Sequence, residues 1–212
     1  LHHRIGDLLC ATPLIASLAA KYPEASIDFL CGTYNQPALE GNPYLRRVYV
    51  WERRGYLRDL PILRRVRKER YDLCIVVTAS CFSLTTAIVA HLCSARFCVG
   101  HQDRLGGRFT RHLFNADLDL PSAVVNEADH YLNLARALGA PIVTRDEFLR
   151  VDPTANQKAE AFFAPFLGKA VLVGVHTGIP GDPRMWPREA FCKVCREILT
   201  KHPRVHLVLF WG

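Results

Sequence analysis

Arg4-Ile5-Gly6-Asp7-Leu8-Leu9-Cys10-Ala11-Thr12-Pro13-Leu14-Ile15 is the stretch from which the rest of the chain is read. A small residue and a carboxylate, Gly6 and Asp7, arrive together at what reads as the end of a buried strand, one the sequence enters partway through. A helix start follows. Thr12 offers a capping hydroxyl, and Pro13 at the first helical position gives up no useful N–H. Leu14, Ile15, Leu18 and Ala19 then recur at helical spacing down to Lys21, and Pro23 stops the run. In an open α/β sheet, ligands sit in the crevice beyond the carboxyl ends of the strands. On the residues alone two roles are open for Asp7: capping a turn, for which Asp is a common residue, or chemistry at that crevice.

Outward from this stretch, apolar runs alternate with helical patterns. Strands are expected at 26–31, 47–51, 71–77 and 95–100, with Glu40-Gly41-Asn42-Pro43 a turn by composition. One helix is expected to open at Asp59 and Pro61 and end near Arg70, with Leu60, Leu63 and Val66 on one side; another spans about 82–93. Continuous apolar strands separated by helices predict a parallel sheet covered on both faces. Residues 101–112, HQDRLGGRFTRH, read as a loop, and LFNADLDL as a further strand-like piece. A helix over about 126–138 follows, striped by Tyr131, Leu134, Ala135 and Leu138 and stopped by Gly139. After a connection at 141–153 comes a helix over 155–167, and the domain boundary is placed at 167–169.

The second unit then runs strand 170–175, Gly/Pro loop 177–187, helix 188–201 and strand 204–210. The strand VHLVLFW wants neighbours on both sides, and a domain of ordinary size takes roughly 100 residues or more. The expectation is therefore an N-terminal domain over 1–167 and the incomplete start of a second over 168–212. The chain reads as a fragment of a two-domain protein, clipped slightly at its N-terminus and severely at its C-terminus.

Half of the 212 residues are hydrophobic and 22% are charged, which supplies a packed core and argues against disorder. A formal charge of +7 and a pI near 9.1 point to an anionic partner or surface. Nucleic acid is not favoured, because the positive charge is not interleaved with a recognised nucleic-acid motif. Most of the eight cysteines (10, 31, 74, 81, 93, 98, 192, 195) fall inside apolar patterns, where a free Cys behaves as a small hydrophobe. Cys192-x-x-Cys195 has a redox or zinc spacing, but no second pair of ligands lies at a matching interval. The thiols read as structural, in keeping with a reducing cytoplasm.

No signal peptide is visible. Residues 73–95 carry no Asp, Glu, Lys or Arg, but Thr78, Ser80, Ser83, Thr85, Thr86 and His91 break the run, so a strand and a helix are expected rather than a membrane span. His2 and His3 are adjacent and face opposite ways in a strand, and no ligand set for a metal accompanies them.

Three constellations are left to carry chemistry. There is no Gly-x-Gly-x-x-Gly after the first strand and no Walker loop, so dinucleotide and P-loop readings lose their main support. The first turn instead offers Asp7, and a carboxylate at a domain cleft suits a general base that takes a proton from an attacking hydroxyl. Thr177-Gly178 through Arg184-Met185-Trp186-Pro187 is a glycine-bearing turn leading into a helix, which presents N–H groups to an anion. Arg184 there either forks onto a diphosphate or is a surface Arg beside a structural Trp-Pro helix start. Between Arg46 and Arg70 stand ten cations against three acids. Arg64 to Arg70 read as a solvated helix face. Arg53, Arg54 and Arg58 precede the helix beside the flexible Gly55 and suit contacts to phosphates or acidic sugars.

RIGDLLCATPLIASLAAKYPEASIDFL resembles the opening of the bacterial heptosyltransferases, glycosyltransferase family 9. The resemblance continues through Glu40-Gly41-Asn42-Pro43, RYDLCIVV and NEADHYLNLARALG. It reaches HTGIPGDPRMWPREAF, which is similar to the family's Pro-Gly, then Lys-x-Trp-Pro, segment at the start of its second domain. The blocks stand in the family's order over nearly the whole chain. The resemblance implies two Rossmann-like domains facing across a cleft, the GT-B arrangement, here with the second domain truncated. It implies inverting transfer of a heptose from ADP-heptose to the lipopolysaccharide inner core, onto an acceptor of Kdo–lipid A type at the cytoplasmic face of the inner membrane.

Asp7 matches the catalytic Asp of the family's Gly-Asp pair. Thr177, Gly178 and Arg184 would then bind the donor, and Arg53, Arg54 and Arg58 the acidic glycolipid acceptor. The nucleotide sugar is a substrate, and neither a cofactor nor a metal is implied. The expected protein is cytoplasmic, with peripheral contact at the membrane face. Two positions depart from the family pattern: Arg184 stands where Lys is usual, keeping the charge but changing its geometry, and Thr177 stands in place of Pro. The family's donor-binding Asp-Thr-Gly and His segment falls beyond Gly212. The alternatives are a transferase of the same fold with another nucleotide sugar, or an inactive fragment that only binds an anionic glycolipid.

Overall fold

The computed structural model describes residues 5–52, 56–77, 84–100, 126–178, 182 and 185–210, with the side chains of 56–58 and 84 left aside. The loop expected at 101–112 and the strand-like piece after it lie outside the described residues.

The opening stretch is helical, and this corrects the strand end expected there. Helix α1 runs Ile5–Cys10 and α2 runs Thr12–Lys21. The apolar residues Ile5, Leu8 and Leu9 sit at helical spacing, and Leu8 is buried with Ile15, Cys31, Ala38 and Leu39. Thr12 is not a cap: Ala11 is the N-cap residue of α2 and makes no side-chain cap bond. The reason lies in Pro13, whose missing N–H would have reached the carbonyl of Leu9 four residues back. Thr12 Oγ1 donates to that carbonyl instead, at 2.6 Å. The same oxygen accepts from Phe148 N at 2.8 Å, tying the segment after the last helix of this unit back to the α1–α2 joint.

Strand β1 (Asp28–Gly32) comes next, then a 3-10 turn over Thr33–Leu39 that no periodicity announced, and β2 (Arg47–Trp51). Helix α3 spans Tyr56–Lys68 and carries Pro61 inside it rather than at its start. Then come β3 (Leu73–Val76), α4 (Leu84–Leu92), β4 (Phe97–Gly100) and α5 (Glu127–Ala137). Asn126 caps α5 by accepting from Ala128 N at 2.9 Å.

All strand pairs among the described residues are parallel. β1 pairs with β2 from Asp28↔Arg47 to Gly32↔Trp51, and β3 with β4 from Leu73↔Phe97 to Val76↔Gly100. No ladder joins β1 to β3 among the described residues; they form separate two-stranded sheets. Helices nevertheless cover both pairs. Ile27, Ile75 and Val77 pack on the core that α2 and α5 make from Ala11, Leu14, Leu18, Tyr131, Leu134 and Ala135. On the other face Trp51, Leu30 and Tyr49 meet Leu63 and Val66 of α3 and Val89 of α4.

The chain divides into two compact units, Leu1–Arg150 and Val151–Gly212, so helix α6 (Pro153–Phe163) belongs to the second unit. The boundary expected at 167–169 falls after that helix. The second unit continues with β5 (Val171–His176), α7 (Arg188–Lys201) and β6 (Val205–Phe210). β5 and β6 pair in parallel from Val171↔Val205 to His176↔Phe210, with α7 as the crossover. Not one described residue of 151–210 is buried. Among the described residues this unit offers one two-stranded sheet with helices α6 and α7, too little to enclose a core.

Candidate functional site

Asp7 lies in the first turn of α1, half-buried, beside an exposed Gly6. Among the described residues a Cβ built on Gly6 would meet no atom within 4 Å. On its inner side Asp7 belongs to an acidic neighbourhood. Cys10 Sγ donates to Glu147 Oε1 at 3.2 Å. Burial pushes the Cys10 thiol up to about 11, and the hydrogen bond to Glu147 and the charges of Glu147, Glu127 and Asp7 add to it. Tyr131, fully buried at the centre of the α2–α5 core, is likewise held protonated by burial and by the charges of Glu127 and Asp7. Three carboxylates from α1, α5 and the segment after α5 thus gather around one thiol and one phenol. Neither Cys10 nor Tyr131 supplies an anion near neutral pH.

Glu127, Glu147, Tyr131 and Cys10 were not singled out by sequence reasoning as neighbours of Asp7. One signal was present: Glu127 and Tyr131 stand in NEADHYLNLARALG, a block that resembles the family, on the helix that packs against α2. Glu147 stands in a stretch with no periodicity to place it.

The turn expected from the sequence to bind the donor lies in the second unit. Thr177 N and Thr177 Oγ1 both donate to Phe210 O, at 3.1 and 3.3 Å. Gly178 N donates to His176 Nδ1 at 3.1 Å. Thr177 N is thus engaged by the end of β6 and Gly178 N by the His176 ring. Gly178 has φ +86°, the left-handed region where a side chain is strained, and a Cβ there would come within 3.0 Å of Met185 Cγ. Arg184 lies outside the described residues, and so do Arg53 and Arg54 and the side chain of Arg58.

The basic stretch is partly neutralised. Arg46 Nη2 meets Asp28 Oδ2 at 2.5 Å and Glu69 Oε2 at 2.8 Å, while Arg47 Nη1 meets Glu69 Oε1 at 2.7 Å. Tyr71 also donates to Asp28 Oδ2, at 2.5 Å. Burial would raise the Asp28 carboxyl, but the hydrogen bonds from Arg46 and Tyr71 outweigh it and hold the group below the usual range. Arg64, Arg65, Arg67 and Lys68 are exposed along α3, as a solvated face requires. Among the described residues no three His, Cys, Asp or Glu side chains could hold a metal ion, and no helix is long and apolar enough to cross a membrane.

No family model matches the chain. Lipopolysaccharide heptosyltransferase 3 of Escherichia coli K12 is 33% identical over 79 residues, covering 34% of this chain and 23% of that protein. The crystal structure of a glycosyl transferase family 9 protein from Veillonella parvula superposes with a TM-score of 0.75 at 19% identity, over 100% of this chain and 61% of that one. The E. coli ADP-heptose lipopolysaccharide heptosyltransferase II superposes with a TM-score of 0.66 at 20% identity, over 97% and 61%. The chain therefore spans about a quarter of the curated relative and three-fifths of the solved structures. Local sequence identity to a heptosyltransferase and a fold shared with family 9 structures agree: the chain is similar in sequence to a lipopolysaccharide heptosyltransferase over part of its length and has the fold of glycosyltransferase family 9 structures.

Proposed function

We propose that the chain belongs to an inverting glycosyltransferase that moves a heptose from ADP-heptose to the lipopolysaccharide inner core. The observation that carries this reading is the setting of Asp7: half-buried on α1, beside Cys10 and Tyr131 and among carboxylates. In this reading the Asp7 carboxylate takes the proton of an acceptor hydroxyl as its oxygen attacks the anomeric carbon. The bond from that carbon to the phosphate oxygen breaks on the opposite face, and ADP leaves with the electron pair. Arg184 and the turn at Thr177 and Gly178 would steady the diphosphate. Since Thr177 N donates to Phe210 O of β6 and Gly178 N to His176, that role requires these bonds to open toward the phosphate or neighbouring N–H groups to act in their place.

The N-terminal unit would bind the acceptor, an acidic glycolipid, with Arg53, Arg54 and Arg58 on its phosphates and carboxylates. Its place would be the cytoplasm, at the inner face of the membrane that carries the glycolipid. The test is Asp7→Asn in the longest natural form of the protein, which keeps size and much of the hydrogen bonding but removes the base. Turnover of ADP-heptose should fall by roughly 10² or more, with ADP affinity nearly unchanged. Near-normal turnover with a lowered melting temperature would assign Asp7 to helix stability alone. A donor panel separates ADP-heptose from other nucleotide sugars. A second reading, binding of an anionic glycolipid without turnover, is favoured by the second unit's lack of any buried described residue. It predicts glycolipid binding by this chain with no ADP release.

A further inference from the structure

Helices α3 and α4 form one layer of the first unit. Leu63 and Val66 of α3, Val89 of α4 and Cys93 just after it bury into a single core with Trp51. The sides turned away from that core are of two kinds. Along α3, Arg64, Arg65, Arg67 and Lys68 are exposed, and so is Arg70 after its end. The acids nearby do not offset them. Asp59 is buried, and Glu69 accepts from Arg46 and Arg47. On α4, which carries no acid, Ile88 is 42% and Leu92 43% exposed, one turn apart on the same side. Leu60 of α3 is 38% exposed, one turn before Arg64. A cationic helix beside exposed aliphatic side chains matches an anionic lipid surface. Arg and Lys stems lie along apolar surface with their heads at the phosphates, while aliphatic tips reach the acyl boundary. A nucleic-acid backbone would use the cations but gain nothing from Ile88 and Leu92. A second copy docked about a two-fold axis would set the same cations against each other.

We propose that the outer face of the α3–α4 layer docks on a membrane surface that carries anionic phospholipid. The docking rests on the proposed function for its membrane-borne acceptor, but it needs no turnover and is measured apart from it. The cations of α3 supply the attraction, which salt screens. Ile88, Leu92 and Leu60 hold the face at the interface once it arrives, because their burial among headgroups and acyl chains removes apolar surface from water. Neither contribution suffices alone: cations without apolar contact leave the chain in the diffuse counterion layer, and three aliphatic side chains without charge bury too little area.

The test is co-sedimentation of the 212-residue chain with vesicles of phosphatidylcholine, alone or with about one-third phosphatidylglycerol. The anionic vesicles should bind about tenfold tighter or more, and high salt should release the chain. Changing Arg64, Arg65, Arg67 and Lys68 together to Gln should weaken that binding by about tenfold or more. The same change at four exposed cations of the second unit, Lys158, Lys169, Lys193 and Arg196, should cost less than about twofold. Ile88→Ser with Leu92→Ser should weaken vesicle binding about fivefold and leave binding to heparin, a soluble polyanion, unchanged. Should the Ser pair unfold the chain, Leu92→Gln alone should weaken vesicle binding about twofold. Equal losses from the two sets of four cations, vesicle binding indifferent to Ile88 and Leu92, or no preference for phosphatidylglycerol overturns the proposal. Normal turnover by Asp7→Asn would sink the base and leave these outcomes as they are.

Discussion

Thr12 shows how one side chain can be misjudged from spacing and still matter. As a residue before Pro at a helix start it reads as a cap, yet its hydroxyl is spent on the Leu9 carbonyl and on Phe148 N. Both bonds are lost in Thr12→Val, which keeps the shape. Two backbone groups then go without a partner, and a loss of about 1–3 kcal/mol is expected in urea unfolding. If Thr12 were only a cap, the cost would stay near 1 kcal/mol and Phe148 N would exchange no faster. Asp28 carries a prediction of the opposite kind, about pH. Its folded carboxyl is held below the ordinary 3.8, so its contribution to stability is complete above the unfolded value and is lost as pH falls through the folded one. Below pH of about 4 the native chain should lose stability more steeply than the Asp28→Asn variant, which is weaker at pH 7 but flatter in acid. Parallel acid limbs would remove Asp28 from the account.

At the level of elements, most of the fold was legible because its signals are local. The strand at 47–51 and the helix at 188–201 lie where alternation and helical spacing put them. α5 likewise follows from its stripe, its Asn cap and its Gly stop. The opening stretch was not legible as a helix because six residues are shorter than two turns, and IGDLLC satisfies a strand end as well as a helix. The carboxylates around Cys10 were hidden for another reason. Glu127 and Glu147 lie more than a hundred residues from Asp7, and only the packing of α5 and the bond from Phe148 bring them there. The ion pairs at Asp28 and Glu69 join residues 18 to 23 apart, and they take Arg46 and Arg47 out of the free charge of the basic stretch.

That leaves Arg53, Arg54 and Arg58 as the part of the stretch on which the proposed acceptor contact rests. An acidic glycolipid meeting a cationic rim is screened by salt, with a Debye length of about 8 Å at physiological ionic strength. Changing all three to Gln should raise the acceptor KM and flatten its salt dependence, while the donor KM hardly moves. Unchanged acceptor kinetics at low salt would make these residues a solvated surface.

For the molecule as a whole, the uneven burial of the two units sets the expected stability. Unit 1 encloses Tyr131, Leu132, Leu134, Leu14 and Leu8 at 1% exposure or less, and its helices cover both faces of its strands. Unit 2 leaves Val171, Leu209 and Phe210 of its two strands about half exposed, and Leu199 of its crossover helix as well. Burial of apolar area is the main favourable term in folding, at about 25 cal/mol per Å², and chain entropy opposes it at roughly 1–2 kcal/mol per residue. A unit with no buried residue among those described has little to set against that entropy, so it should open separately and at lower cost than unit 1. In hydrogen exchange of this 212-residue chain, amides of 171–176 and 205–210 should exchange at least a hundredfold faster than those of 131–135. Heating should show two steps, the first without loss of the near-ultraviolet signal of Tyr131 and Trp51, which belong to the cores of unit 1. A single cooperative transition with equal protection in both units would mean that contacts outside the described residues hold unit 2 in place.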